Sequence, residues 1–246
     1  MFILLPPSEG KAVVRRGRPT DWDALSLPAL TPTRLAVADA LAQVSAAPDA
    51  LHVLGVGESL GAEVAANLDW RTAPAAPAEK VYDGVLFDAF DVAGLQGTAL
   101  RRARSSVRIS SPLHGMVRLT DRIAPYRLGP DVQLPGLGVV RSVWRAQLAA
   151  VMDSEADDRL VVDLRSGSYR SWWRPVTASA WVTVDVPGAS HFAKFTRGLV
   201  ARRLCEAGKV PTRPQHLVDL LANYGAELVA PGRPGQPWAL TVAAQH

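Results

Sequence analysis

Short apolar segments alternate with polar, proline-containing segments along the whole chain. Residues 2–5 form an uninterrupted apolar run, which predicts a short buried strand. Residues 159–164 and 180–186 also predict strands, since the second run alternates Val with Trp, Thr and Asp. Residues 107–110 and 238–242 are shorter candidates of the same kind.

Apolar residues three and four positions apart mark the predicted helices. This spacing occurs over residues 34–44, 141–152 and 192–206, and Thr31-Pro32 provides a favourable start for the first helix. Shorter helical segments are predicted over residues 58–68, 92–104 and 215–223. Because helices and strands intermix without a regular βαβ alternation, the pattern favours an α+β fold with a mixed β-sheet.

Composition narrows the class of protein. Of the 246 residues, 48% are hydrophobic and 20% charged, so the chain can bury a sizeable core. No stretch approaches the roughly 20 apolar residues of a membrane-spanning helix, and the N-terminus lacks the features of a signal peptide. We therefore expect a cytoplasmic protein with no membrane partner.

Cysteine and histidine usage argues against a metal centre. The single cysteine, Cys205, excludes an intrachain disulfide and a cysteine-rich metal site. It follows Arg202-Arg203, which favours an oxidisable thiol, although its helical setting also fits inert packing. The histidines are scattered without an i, i+4 pair, so we expect no metal site and no cofactor.

Positive charge is modest in amount and clustered in position. The net charge is +4 and the calculated pI is about 9.6. The cations are mostly Arg and concentrate in residues 15–18, 101–108 and 194–203. Because the planar guanidinium binds phosphate with two donors, such clusters favour anionic partners.

The turn around Gly55-Val56-Gly57 predicts a DNA contact. Two glycines flank an apolar residue before a helical segment, as in the hairpin of a helix-hairpin-helix, here about residues 34–68. Glycines allow close approach to a phosphate, so Gly55, Val56, Gly57, Glu58 and Ser59 are the predicted DNA-binding residues. Two alternatives remain: a dinucleotide-binding turn, which lacks its acidic residue about 20 positions later, and a turn that binds nothing.

A second candidate anion site lies on the helix over residues 192–206. Lys194 and Arg197 are three positions apart and share a face. Gly198 and Ala201 continue that face with little bulk, which lets another group lie against it. The alternative is a solvated cationic face that binds nothing.

Ser8, Glu9 and Lys11 follow directly after the first predicted strand, where functional loops often begin. Ser8 with Lys11 would suit a nucleophile and its base, and all three are candidate catalytic residues. The alternative is anion binding without catalysis. The predicted anion-binding cleft consists of Ser8, Lys11, Tyr126, Arg127, Lys194 and Arg197.

Five segments in order along the chain resemble the bacterial YaaA proteins associated with peroxide stress. They are residues 3–11 (ILLPPSEGK), 79–84 (EKVYDG), 113–128 (LHGMVRLTDRIAPYRL), 163–169 (DLRSGSY) and 192–199 (FAKFTRGL). The chain departs from that family's pattern at His114, Thr120 and Gly167-Ser168, where the family carries Tyr, Pro and an acidic pair.

The resemblance implies a single compact α+β domain over residues 1–246, with a basic cleft and a helix-hairpin-helix element. It also implies a DNA-binding protein that limits oxidative damage and contacts the phosphate backbone without sequence specificity. The alternative function is an enzyme acting on a phosphate- or carboxylate-bearing small molecule in the same cleft.

Overall fold

A computed structural model describes residues 1–188 and 190–245. Its strands are short and lie throughout the chain. In order they are β1 (Phe2–Leu5), β2 (Ala76–Pro77), β3 (Val107–Ser111), β4 (Gly115–Arg118), β5 (Arg122–Ile123), β6 (Gln133–Leu134), β7 (Gly138–Val139), β8 (Leu160–Asp163), β9 (Ala180–Asp185), β10 (Glu227–Val229) and β11 (Trp238–Thr241).

Within the described residues, seven of these strands form one mixed sheet. Its order is β10-β11-β9-β8-β1-β3-β4. The pairs from β11 to β3 are parallel, while β10 and β4 run antiparallel at the two edges. The predicted α+β class with a mixed sheet is confirmed. The sequence pattern did not reveal β4 and β10.

Helices lie between the strands in the chain. In the described part they are α1 (Thr31–Ser45), α2 (Ala50–Val53), α3 (Gly61–Ala66), α4 (Ala78–Val81), α5 (Val85–Phe90), α6 (Gly97–Ser106), α7 (Val140–Ala156), α8 (Gly167–Arg170), α9 (Ser190–Glu206) and α10 (Gln215–Leu220). The predicted helices over 34–44, 141–152 and 192–206 correspond to α1, α7 and α9. No helix in residues 1–188 and 190–245 has both the length and the apolar character to cross a membrane.

The central strand β1 divides two hydrophobic cores. Ile3 and Leu5 pack into one cluster together with α5, α6, α9 and α10. Phe2 and Leu4 pack into the other together with α1 and α7. Successive residues of a strand face opposite sides of a sheet, so an uninterrupted apolar run is what a strand covered on both faces requires.

The predicted small-residue face of α9 packs against another helix. A Cβ at Gly198 would overlap the carbonyl oxygen of Leu86 and lie 2.7 Å from Cβ of Ala89, both in α5. Ala201 is fully buried on the same side. The group that lies against this face is therefore α5, and the small residues serve helix packing.

Candidate functional site

The loops after β1 and β8 leave the sheet in opposite directions. The chain passes from β1 to β3 on one side, and from β8 to β9 on the other. Adjacent parallel strands that diverge in this way open a crevice beyond their carboxyl ends, where open α/β sheets bind ligands. Residues 6–11 and 164–169 border that crevice.

Lys11 lies in this crevice with its ammonium group turned towards backbone. Nζ donates hydrogen bonds to the carbonyl oxygens of Ser8 and Glu9, each at 3.0 Å. It also lies 4.3 Å from the ring centroid of Tyr126. A β-bridge joins Lys11 to Tyr82, and this fixes the loop against the segment before α5.

The surroundings of Lys11 favour a neutral amine. Burial is the main cause, and the nearby Arg127 guanidinium is the second; together they lower the pKa of Lys11 to about 7. The carboxylates of Glu63, Asp83 and Glu9 act in the opposite direction and are outweighed. A lysine near neutral pKa is able to act as a nucleophile or base.

Beneath Lys11 lies a buried network of hydroxyl groups. The hydroxyls of Tyr82 and Tyr126 are 3.1 Å apart, and Ser111 Oγ is 2.8 Å from Tyr126 Oη and 3.1 Å from Nδ1 of His114. Burial raises the pKa of Tyr82 to about 12 and raises that of Tyr126. Burial also lowers the pKa of His114, whose ring stacks on Trp22. The network is thus held neutral.

Arg127 forms the other side of the site and is loosely paired. Its backbone N–H donates to Oδ1 of Asn67 at 2.9 Å, which fixes the main chain. Its side chain donates to the carbonyl oxygen of Glu9 at 3.2 Å. The ion pairs to Glu9 and Glu63 are long, at 3.9 and 3.6 Å. The guanidinium therefore keeps capacity to bind a further anion.

Lys11 and Tyr126 open into a cleft of about 620 Å³. This volume falls in the range of small-molecule binding sites. One wall is α3 with the residues that follow it, and the other is the loop after β1. The lining residues are Lys11, Val13, Val14, Ala62, Glu63, Ala66, Asp69, Thr72, Ala73, Pro74, Pro125 and Tyr126.

The hydroxyl of Ser8 is engaged within its own loop. Ser8 Oγ donates to the carbonyl oxygen of Gly10 at 2.6 Å and accepts from the N–H of Asp83 at 3.2 Å. Lys11 Nζ contacts the carbonyl oxygen of Ser8 and not its hydroxyl. In this geometry Ser8 shapes the loop, while Lys11 carries the reactive group.

The glycine turn lies at the start of the helix that borders the cleft. Gly55 adopts a left-handed φ of 64°, whereas Gly57 is extended. An added Cβ would meet nothing within 4 Å at either glycine, while Val56 between them packs against a core. The flanking helices α2 and α3 have four and six residues, and a 3₁₀ turn, Glu58–Leu60, precedes α3. The helix-hairpin-helix over residues 34–68 stays a prediction.

Lys194 and Arg197 lie on α9. Lys194 is exposed. Burial, followed by the nearby Arg170, lowers the pKa of Arg197, and Asp185 raises it. Among the described residues, no hydrogen bond or ion pair joins either cation to Lys11. The structure thus groups Ser8, Glu9, Lys11, Tyr126 and Arg127. The membership of Lys194 and Arg197 in the same cleft stays a prediction.

Ser111, Asn67 and Glu63 are among the members of the site that were not identified from the sequence. Ser111 ends β3 beside β1, Asn67 holds the backbone of Arg127, and Glu63 faces the cleft. Of these three residues, only Ser111 could have been predicted from the sequence, because it directly follows a predicted strand. Within the described residues, no group of three or more His, Cys, Asp or Glu is placed to hold a metal ion.

Comparison with known proteins gives consistent matches over most of the chain. The family described as "Peroxide stress protein YaaA" matches residues 1–223. A UPF0246 protein of Streptomyces coelicolor is 45% identical, and the match covers 98% of each chain. A UPF0246 protein of Corynebacterium efficiens is 37% identical over 92% of this chain and 93% of that protein. One from Ralstonia nicotianae is 30% identical over 56% and 61% of the two chains.

Proposed function

This chain belongs to the family of YaaA peroxide stress proteins, and we propose that it acts in the peroxide response by binding the phosphate backbone of DNA without sequence specificity. The observation that carries the proposal is a set of arginines beside the cleft, which we call the basic rim. Its members are Arg15, Arg16, Arg18, Arg71 and Arg122.

The basic rim follows the outer edge of the cleft. The N–H of Ala75 donates to the carbonyl oxygen of Arg18, and a bridge joins Pro19 to Pro74, so the arginine-bearing loop runs beside a cleft wall. Arg15, Arg16 and Arg18 are exposed, and within the described residues none of them has an ion-pair partner. Exposed, unpaired arginines bind phosphate without first breaking an internal contact.

The charges within the cleft differ from those on its rim. Glu63 and Asp69 line the cleft beside Lys11, so its interior carries charges of both signs, whereas the rim carries arginines alone. Duplex DNA is therefore proposed to lie across the rim, with its phosphates on the arginines. Contacts of this kind position the protein on DNA but do not select a sequence.

Direct reaction of the Cys205 thiol with peroxide does not explain a role in the peroxide response. Cys205 is fully buried, and burial raises the pKa of its thiol to about 12. Because the thiolate is the species that is oxidised, this thiol is unreactive at neutral pH.

The rim predicts a specific salt dependence. Changing Arg15, Arg16 and Arg18 together to Ala should reduce the slope of log affinity against log salt by about 2.7, or about 0.9 for each phosphate that is no longer neutralised. Fluorescence anisotropy with a labelled duplex at several salt concentrations measures the slope. The matched control changes Arg101, Arg213 and Arg233, which are exposed and lie outside both the loop that carries Arg15, Arg16 and Arg18 and the segments that line the cleft. Equal slopes for the two triple variants would contradict the proposal.

The glycine turn is proposed as a second DNA contact, and Gly57→Ala tests it without disturbing the fold. Gly57 has φ −76° and ψ 164°, which alanine adopts readily, and open space surrounds the new Cβ. Thermal stability should be unchanged or raised slightly, by about 0.4–1 kcal/mol. Duplex affinity should fall about tenfold, the effect of losing one charge-assisted hydrogen bond of about 1.5 kcal/mol. Unchanged affinity would show that the turn does not contact DNA. The proposal for the basic rim would not be affected.

A second candidate function is favoured by the position of Lys11 at the strand crevice. An enzyme acting on a phosphate- or carboxylate-bearing small molecule would use Lys11 for chemistry and Arg127 for the anion. Such a ligand stabilises the folded protein by mass action, so it raises the melting temperature in a thermal-shift screen. No shift with any phosphorylated or carboxylated compound would reject this candidate without affecting the DNA proposal.

A further inference from the structure

Lys11 has the geometry of a nucleophile and not that of an ion-pair partner. Its Nζ donates to the carbonyl oxygens of Ser8 and Glu9, and among the described residues it forms no ion pair with a carboxylate. A neutral primary amine has two N–H bonds and one lone pair. With both N–H bonds donated to carbonyl oxygens, the lone pair is the direction left for a reacting atom.

We propose that Nζ of Lys11 forms a reversible imine with an aldehyde that enters the cleft. The lone pair of nitrogen attacks the carbonyl carbon, and a proton passes from nitrogen to the carbonyl oxygen. The resulting carbinolamine then loses water, and the carbon–nitrogen double bond forms. This inference rests on the second candidate function and names its substrate class.

The walls of the cleft suit a phosphorylated aldehyde. Val13, Val14 and Pro125 give the cleft an apolar wall beside the amine. Arg127 borders the Lys11 group, and its long ion pairs leave donors for a phosphate. The cleft, about 620 Å³, accommodates a sugar phosphate.

The protonation of Lys11 sets the pH dependence. Its pKa is lowered to about 7 by burial and by Arg127, so the reactive neutral amine increases as pH rises through 7 and is lost below it. An ordinary lysine, with a pKa of 10.5, stays protonated across this range. The other titratable groups facing Lys11 are Glu9, Glu63, Tyr82, Asp83, His114 and Tyr126.

The same aldehyde chemistry has two sources. One is a free sugar phosphate, for which 2-deoxyribose 5-phosphate is the probe. The other is the open-chain deoxyribose of an abasic site in DNA, which carries the same aldehyde between two phosphates. Oxidation of DNA by peroxide-derived radicals produces aldehydic sugars, which connects this chemistry to the family's stress role.

The experiment traps the imine on the full chain with cyanoborohydride. The reagent delivers hydride to the imine carbon and water supplies a proton to nitrogen, which gives a stable secondary amine. One arm contains 2-deoxyribose 5-phosphate, and the other an abasic-site duplex with an intact duplex as its control. Peptide mass mapping of the wild-type protein then locates the adduct. The chain's lysines are Lys11, Lys80, Lys194 and Lys209, so assignment is unambiguous.

The expected result is an adduct at Lys11 that increases from pH 6 to pH 8, with a midpoint near the pKa of about 7. Lys11→Arg should abolish it, whereas Lys80→Arg, at an exposed lysine, should not. Labelling spread over all lysines, or labelling that persists in Lys11→Arg, would overturn the inference, as would its absence in both arms.

The arms also separate this inference from the DNA proposal. An adduct with the free sugar phosphate alone supports imine formation and assigns the site to small molecules. An adduct in both arms supports imine formation on DNA as well. A flat salt titration with intact duplex, together with clean labelling of Lys11, rejects the proposed DNA function and supports the imine.

Discussion

Replacing Asp163 by asparagine should lower the free energy of unfolding by about 3–5 kcal/mol, the cost of leaving a buried charge without its partner. Asp163 and Arg165 are both fully buried. Nη2 of Arg165 lies 2.8 Å from Oδ2 of Asp163, and Nε lies 2.9 Å from Oδ1. The asparagine variant keeps the size of the side chain and removes its charge. Urea unfolding followed by circular dichroism measures the loss.

A half-exposed ion pair of the same chemical type gives the control. Asp185 pairs with Arg170 at 3.2 Å, and the side chain of Asp185 is 50% exposed. Solvent screens such a pair, so Asp185→Asn should cost no more than about 1 kcal/mol. The double variant Asp163→Asn with Arg165→Met removes both charges. Its loss of unfolding free energy should be about 2 kcal/mol smaller than the sum of the losses in the two single variants. Additive losses would show that the two charges do not stabilise each other.

The buried pair also holds the loop that follows β8. Asp163 ends β8, and Arg165 lies in the loop that follows it. Arg165 donates further to the carbonyl oxygen of Trp173, which ties the far end of the same segment. The pair therefore fixes the segment that runs from the end of β8 to Trp173.

Local sequence pattern predicted the long helices and most of the strands of the main sheet, but not the order of those strands. The apolar run of β1 and the alternation in β9 identified strands because burial on one or both faces determines those patterns. The order of strands in the sheet depends on which elements meet across long separations. Edge strand β4 follows β3 after a short turn, and its four residues carry no alternation long enough to recognise.

The part of the candidate site that was predicted from the sequence consists of residues that directly follow a strand. Ser8 and Lys11 come directly after β1, so a functional loop there was expected. Asn67 could not be found in this way, because its role is a hydrogen bond to the backbone of Arg127, sixty positions later in the sequence. The low pKa of Lys11 likewise arises from burial by distant segments.

The α9 face illustrates how one pattern supports two interpretations. Small residues beside Lys194 and Arg197 favoured a bound anion, but small residues serve close helix packing equally well. The structure gives Gly198 a neighbouring helix, α5, and leaves Lys194 exposed beside it. Residue size alone does not distinguish a ligand from a helix.

The Gly198–α5 contact leads to the second large stability effect. Gly198→Ala should lower the free energy of unfolding by about 3 kcal/mol, at the upper end of overpacking costs. The new Cβ would overlap the carbonyl oxygen of Leu86 and crowd Ala89 and the N–H of Phe90. Two of these obstacles are backbone atoms, which cannot turn aside as a flexible side chain does. Relief therefore requires α5 and α9 to separate, which opens one of the two cores.

Gly61→Ala is the matched control, since Gly61 also lies in a helix, α3, and its added Cβ would meet nothing within 4 Å. There the better helix propensity of alanine should raise stability by about 0.5–1 kcal/mol. Thermal and urea unfolding of both variants should thus give shifts of opposite sign from the same chemical change. A stable Gly198→Ala protein would contradict the close packing of α5 on α9. An unstable Gly61→Ala protein would instead show that α3 is itself in close contact with another part of the chain.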